Sequence, residues 1–304
     1  MRMSLFKVIL LAIVQGLAEL LPVSSSAHVV VAEKLMHLDP SSPQMTLLLV
    51  MLHTGTMFAV IAYFWKNWVD TYFANGDVFK RFAIRAIWAT LLTVIIGFGL
   101  KKVIEKTMFA GQPKAEIESL FGRLDLIAPA LAAAGLMILI AGIIERRQMK
   151  PAVPRAESLT GNFRTTTVTM GQAGWMGFVQ GLALPFRGFS RSGTTISAGM
   201  LTGADKDRAE KFSFALAVIL TPGVVGLEGI RMLKDVHEQA ALGNHVDLKG
   251  SVLTSLLGAF FAFLAGLVAL KWLSSWLESG KWYLFGIYCL VASVVVFYLH
   301  TRGY

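Results

Sequence analysis

The stretch Val14–His28, VQGLAELLPVSSSAH, decides how the rest of the chain is read, because its opening returns at Val179–Thr195 as VQGLALPFRGFSRSGTT. The first five residues are identical. Gln180 follows Gln15 by 165 residues, just over half of the 304-residue chain, which marks an internal duplication. Each copy is an apolar run that halts at a proline, Pro22 or Pro185, and breaks into small hydroxyl residues. Proline cannot continue a helix. Ser24, Ser25 and Ser26 in one copy, like Ser190 and Ser192 in the other, are residue types that cap one. The pattern predicts a helix, a break and a second short helix in each copy.

Around these two segments the composition is that of a chain dissolved in lipid. Hydrophobic residues make up 55% and charged residues 15%, with a mean hydropathy of +0.61, too apolar for a soluble protein of this size. The net charge of +9 comes from basic residues in short loops between apolar runs. That placement points to anionic lipid headgroups and away from nucleic acid, which needs a basic face or helix. The one cysteine, Cys289, lies in an apolar run, so it forms no internal disulfide and is read as packing. Arg2 and Lys7 before an apolar stretch resemble a signal peptide, but the stretch contains half of the duplicated motif and lacks a small-residue cleavage site. It is expected to stay in the mature protein.

Six runs are long enough to cross a bilayer, which takes about 20 apolar residues: 46–65, 82–100, 126–144, 212–230, 252–270 and 282–299. The motif helices, 4–21 and 173–185, are each followed by a second short stretch, 27–36 and 195–203. These read as re-entrant pairs, since broken backbone at membrane depth is tolerated only where protein or water covers it. Each half then holds one re-entrant pair and three full spans. Three is odd, so the second half starts from the opposite face. The expected fold is an all-α integral membrane protein with an inverted-topology repeat, six full transmembrane helices and two re-entrant helix pairs. It forms a single membrane domain over 1–304, with repeat one over about 1–145 and repeat two over about 172–304. Such repeats put their site where the broken helices meet, here Ser24–His28 against Gly188–Thr195. The longest connections, 101–125 and 145–172, are polar enough to lie outside the membrane. Twelve Lys and Arg fall on the side bearing both termini and thirteen on the other, so the positive-inside rule leaves the orientation undecided.

Ionisable side chains inside a membrane are functional by default. Glu19 shares a helix face with Gln15, four residues earlier. His28, in the first turn of a helix beside Ser25, forms a nucleophile–base pair with it or is itself a nucleophile toward phosphorus. The second copy has Leu184 in place of Glu19 and supplies Arg187 and Arg191 instead, so the duplication has diverged into an acidic and a basic half. Arg191 stands between Ser190 and Ser192 and before Gly193, Thr194 and Thr195. A guanidinium beside free amides at a helix N-terminus suits an oxyanion. Gly188 and Gly193 let backbone approach it closely. His53, in LHTGT, either faces the site or bonds within the bundle, and Leu220-Thr221-Pro222-Gly223 reads as a kink matching Thr54-Gly55-Thr56.

The set Gln15-x-x-x-Glu19, Pro22-Val23-Ser24-Ser25 and His28, followed by Gly188-Phe189-Ser190-Arg191-Ser192-Gly193-x-Thr195, resembles the undecaprenyl pyrophosphate phosphatase family of bacteria, the bacitracin-resistance type. The resemblance spans nearly the whole chain. It implies an integral enzyme of the bacterial cytoplasmic (inner) membrane that converts undecaprenyl pyrophosphate to undecaprenyl phosphate, recycling the lipid carrier of cell-wall synthesis, with its site toward the periplasm. By this resemblance Glu19, Ser25, His28 and Arg191 are the catalytic set, and Ser24, Ser26, Gly188, Ser190, Ser192, Gly193 and Thr195 join Arg191 around the phosphates. A divalent cation, Mg or Ca, is implied at Glu19 and Gln15. The partners are a long-chain prenyl diphosphate and membrane lipids, with room for a homodimer. Two positions depart from the family pattern: Arg187 stands where proline usually precedes Gly188, and Gln15 fills the first acidic position. The rival class is a lipid-carrier flippase or secondary transporter built on inverted repeats. The other lipid phosphatase superfamily lacks support, because Ser190-Arg191 has no histidine six residues on.

Overall fold

The computed structural model describes residues 4–38, 43–108, 120, 122–148, 167–241, 248–277 and 280–304. The described residues fold into ten helices and no strand: α1 Leu5–Leu20, α2 Ser25–Leu35, α3 Pro43–Tyr72, α4 Gly76–Met108, α5 Leu124–Gln148, α6 Met170–Ala183, α7 Arg191–Leu201, α8 Lys206–Ala241, α9 Leu248–Leu277 and α10 Trp282–Thr301. Most of the two long polar connections, with Lys114, Lys150, Pro151, Pro154, Arg155 and Arg164, lies outside the described residues.

Six helices, α3, α4, α5, α8, α9 and α10, are long and apolar enough to cross a membrane, with mean hydropathies of 1.8 to 2.5 over their most apolar stretches. They match the six expected runs but overshoot them. α4 has 33 residues, about 50 Å at the α-helical rise, because helical hydrogen bonding continues past the lipid-immersed stretch that hydropathy detects. α8 runs on through Pro222 and α5 through Pro129.

The motif helices are shorter. α1 has 16 residues and α6 has 14, about 24 Å and 21 Å, less than the roughly 30 Å hydrocarbon core. Each is followed by a partner that returns to where it began. Lys7 Nζ donates to Met36 O at 2.8 Å, joining the end of α2 to the start of α1. Gln172 Nε2 donates to Thr202 O at 3.3 Å, joining the end of α7 to the start of α6.

The serines at the two breaks do not cap as their residue type leads one to expect. Ser24 (φ 69°, ψ 88°) and Ser190 (φ 45°, ψ 81°) occupy the N-cap positions of α2 and α7 in the left-handed region, and neither side chain makes a cap bond. A cap hydroxyl reaches N2 or N3 from extended backbone, and these dihedrals turn it away. Side-chain caps do form elsewhere: at α6 Thr169 and Gln172 make a reciprocal capping box, and before α4 Asn75 Oδ1 accepts from Val78 N at 3.0 Å. Non-glycine residues in this region are costly, so two at matching places mark backbone held by its surroundings.

Each short pair leans on a long helix from the other half of the chain. α1 packs on α9 and α6 on α4. The glycine of VQGLA makes each approach possible. A Cβ on Gly16 would lie 2.7 Å from Ala262 O, and one on Gly181 would lie 2.9 Å from Thr93 O and 2.8 Å from Ile96 Cβ. Across the middle, α3 runs antiparallel to α8, with Trp68 Nε1 on Lys211 O at one level and Phe64 against Phe214 at the next. α5 and α10 are antiparallel too, with Gly142 against Tyr283 and Gly135 against Cys289. The main core gathers Leu20, Val30, Phe64, Ile127, Ile138, Met176, Ile196, Phe212 and Trp282 from both halves.

Candidate active site

The site is built where loop one, Leu21–Ser24, meets loop two, Leu184–Ser190. Glu19, in the last turn of α1, is its centre. Its Oε2 accepts Ser25 Oγ at 2.5 Å and Gln15 Nε2 at 3.1 Å, and its Oε1 accepts from Arg191 Nη2 in a salt bridge between the two copies of the motif. His53 Nε2, from α3, stands 3.8 Å from the same Oε2, its Nδ1 bonded to Leu49 O at 2.8 Å. The Glu19 side chain keeps only 10% of its surface exposed. A carboxylate so buried would be prohibitive without partners, and both oxygens are engaged.

The spacing explains the convergence. Gln15 and Glu19 lie one turn apart on α1. The four-residue loop folds Ser25 back over that turn, and Arg191, first residue of α7, enters from the opposite loop. Further contacts clamp the loops: Gly188 N donates to Ser26 Oγ at 3.2 Å, and Ser192 Oγ to Leu21 O at 3.5 Å. Gly188 takes φ 101°, and a Cβ on it would lie 2.6 Å from Ile127 O, a conformation and proximity that exclude any other residue. A Cβ on Gly193 would press on Ser190 Oγ and Pro22. Ser190 Oγ and Thr195 Oγ1 are buried with no hydrogen-bond partner among the described residues, two unused hydroxyls at the start of α7.

A cleft opens beside the carboxylate. Glu19, His53, Thr56, Arg191, Ser192, Ser213 and Thr221 supply its polar lining, and Leu20, Met57, Val60, Phe214, Ala217 and Val218 its apolar lining. Thr221, from the segment read as a kink, therefore faces the cleft, with its own hydroxyl on Ala217 O at 2.7 Å.

Of the residues singled out in the sequence, Gln15, Glu19, Ser25, His53, Arg191 and Ser192 come together here. Ser24 and Ser26 lie behind Ser25, their hydroxyls 3.4 Å apart. Both ring nitrogens of His28 are engaged elsewhere than on Ser25, Nδ1 on Ser24 O at 2.8 Å and Nε2 on Tyr288 Oη at 2.6 Å. Arg187, half-buried in loop two, interacts electrostatically with Glu33 of α2, whose carboxylate is fully buried. Thr56, which the sequence marks only as part of a kink, lines the cleft together with Ser213. No motif marks Ser213, Tyr288 or Glu33; of these Glu33 alone carries a signal, being an acid within a short apolar helix. Nothing in sequence separates Tyr288 from the aromatic residues common in membrane helices.

As a ligand set for a metal, the site offers few oxygens. Among the described residues no group of three or more His, Cys, Asp or Glu side chains could hold an ion. Gln15 Oε1, however, is buried and unpartnered next to Glu19, so a cation would find one amide oxygen and one carboxylate.

The chain is 51% identical over 294 residues to undecaprenyl-diphosphatase 2 of Acinetobacter baylyi, covering 97% of both chains. It is 32% identical over 299 residues to undecaprenyl-diphosphatase of Rhodopirellula baltica, covering 98% of this chain and 99% of that one. To undecaprenyl-diphosphatase of Desulfosudis oleivorans it is 30% identical over 311 residues, covering 97% and 98%. Residues 8–295 match the family described as bacitracin resistance protein BacA, and with a match of that extent the chain belongs to that family.

Proposed function

We propose that this protein is an integral membrane phosphatase that hydrolyses undecaprenyl pyrophosphate to undecaprenyl phosphate and inorganic phosphate, returning the lipid carrier to cell-wall synthesis. The observation that carries the reading is the meeting of Glu19, Ser25 and Arg191 across the two loops, in a chain whose relatives are named for this activity.

The two short helix pairs are re-entrant, and the halves are inverted repeats. Supporting this, each pair returns to its starting end, and the corresponding spans α3 and α8, like α5 and α10, run antiparallel. Inverted repeats place such loops near the midplane, where an apolar tail can stay in lipid while its diphosphate enters the cleft.

In the reaction, Arg191 uses one donor on Glu19 and turns the rest of its fork to the terminal phosphate. The amides that open α7 and the free hydroxyls of Ser190 and Thr195 add donors where charge collects. Ser25 Oγ attacks the terminal phosphorus and passes its proton to Glu19 Oε2, already 2.5 Å away. The bond from that phosphorus to the bridging oxygen breaks and lipid monophosphate leaves. Water then releases phosphate from the serine. Phosphoryl transfer of this kind needs mainly positioning and charge stabilisation. A divalent cation, Mg or Ca, would be held by Glu19 and Gln15 Oε1, with phosphate and water as its remaining ligands. When bound it supplies further neutralisation of the diphosphate. The enzyme sits in the inner membrane with its cleft toward the periplasm.

Phosphate release from a long-chain prenyl diphosphate by purified protein in detergent, with and without chelator, tests the assignment. An enzyme turns over without a sealed membrane. A flippase or transporter releases nothing, and that outcome would overturn the reading.

A further inference from the structure

Behind loop one lies a polar pair that the scheme above does not use. His28 Nδ1 stands 2.8 Å from Ser24 O and His28 Nε2 stands 2.6 Å from Tyr288 Oη. A carbonyl oxygen can only accept, so Nδ1 carries the ring proton in the neutral imidazole. Nε2 is then the acceptor, and the tyrosine hydroxyl donates to it. The two ring planes are within 12° of parallel, with centroids 5.7 Å apart. Ser24 can offer its carbonyl because its left-handed backbone ends loop one just before α2.

Packing alone does not call for a hydroxyl at this position. Tyr288 is 47% exposed on the outer flank of α10, beside Ile287 and Val291, which are also exposed. A phenol facing lipid is costly unless its hydroxyl is bonded, and His28 is the one hydrogen-bond partner it has among the described residues. The imidazole in turn has a broad torsion about its ring bond, and a single anchor at Ser24 would leave it free to swing.

We propose that Tyr288 is a positioning residue for the phosphatase reaction: its hydroxyl fixes the ring of His28 beside loop one, protonated at Nδ1, with Nε2 kept as the basic nitrogen. The inference rests on the phosphatase reading and extends it to the last helix, which no motif in the sequence marks. The pair bears on the reaction through loop one: Glu19 accepts from Ser25 on one side, and on the other His28 Nδ1 holds the carbonyl of Ser24, the residue next to Ser25.

The test uses full-length protein in detergent with a long-chain prenyl diphosphate, comparing wild type, Tyr288→Phe and Tyr288→Ala. It adds nitrogen-15 spectra of the histidine rings, with His28→Gln to assign the signal. Wild-type His28 is expected to show the single Nδ1–H tautomer. Tyr288→Phe keeps the ring and removes one hydrogen bond, and should lower kcat about tenfold with KM unchanged within twofold, while the His28 Nε2 signal shifts as it loses its hydrogen-bond donor. Tyr288→Ala should be little worse than Phe. Wild-type kcat and unmoved His28 signals in Tyr288→Phe would overturn the proposal, as would a loss confined to Tyr288→Ala, which marks a packing role. Should Tyr288→Phe fail to fold, the wild-type spectrum decides, since a His28 protonated at Nε2 contradicts the assignment. If wild type releases no phosphate, the phosphatase reading itself fails, and the spectra still show whether Tyr288 fixes the ring.

Discussion

Loop one closes in four residues, Leu21–Ser24, whereas loop two takes seven, Leu184–Ser190, although both follow the same VQGLA helix and both end on a serine in the left-handed region. The shorter loop keeps the carboxylate of Glu19 and the hydroxyl of Ser25 within hydrogen-bonding distance. In the longer one, apolar Leu184 takes the place of the acid, and the extra length carries Arg187 and Gly188 before presenting Arg191. The two breaks share a backbone form and differ in charge. Two copies with like charges would repel at the point where they meet; with opposite charges, the ion pair that joins the halves also assembles the site.

The comparison can be broken first at the hydroxyls. Ser25→Ala should lower phosphate release by at least about 10³-fold, as expected for an attacking group, while Ser192→Ala, a hydroxyl of the other copy bonded to Leu21 O, should cost less than about tenfold. Equal losses in kcat would mean that the two loops do not divide the work this way. Arg191→Lys is next. It retains the charge but loses the planar fork, and kcat/KM should fall about 10²-fold; activity within threefold of wild type would show that the guanidinium geometry is immaterial.

Smaller effects probe the shared scaffold. Gly16→Ala and Gly181→Ala each push a methyl onto a carbonyl oxygen of the opposite half, and each should destabilise by about 1–3 kcal/mol in thermal unfolding in detergent. A clear loss at one and none at the other would show that the two pairs do not rest on α9 and α4 in the same manner. Smallest of all, Ser24→Gly and Ser190→Gly relieve left-handed backbone. Melting should rise or hold, by up to about 1 kcal/mol, and a marked drop in both would indicate that their hydroxyls, and not their dihedrals, matter to the fold.

Much of this was legible in the sequence. The six spans announce themselves because a lipid-immersed helix must be apolar throughout. The two loops announce themselves because proline, serine and glycine interrupt otherwise apolar stretches. The meeting of Glu19 with Arg191 follows from the repeat together with the cost of leaving either charge alone in lipid. Other features depend on relations that no local pattern encodes. The direction of the His28 ring is set by the backbone of Ser24 and by Tyr288, 260 residues away. The left-handed serines reflect the constraint of packed loops, where residue type alone favours an ordinary cap. The exchange by which α1 rests on α9 and α6 on α4 depends on which glycine faces which helix, and helical periodicity in a uniformly apolar segment does not reveal that.

The central claim is that a carboxylate from one copy of the motif and a guanidinium from the other act as one unit on a lipid diphosphate. A double-mutant cycle in kcat/KM for phosphate release, using wild type, Glu19→Gln, Arg191→Gln and the pair, tests it most directly. The account predicts that each single change costs about 10²-fold or more and that the double variant is little worse than either single one. Losses that multiply in full, as for two independent positions, would contradict it.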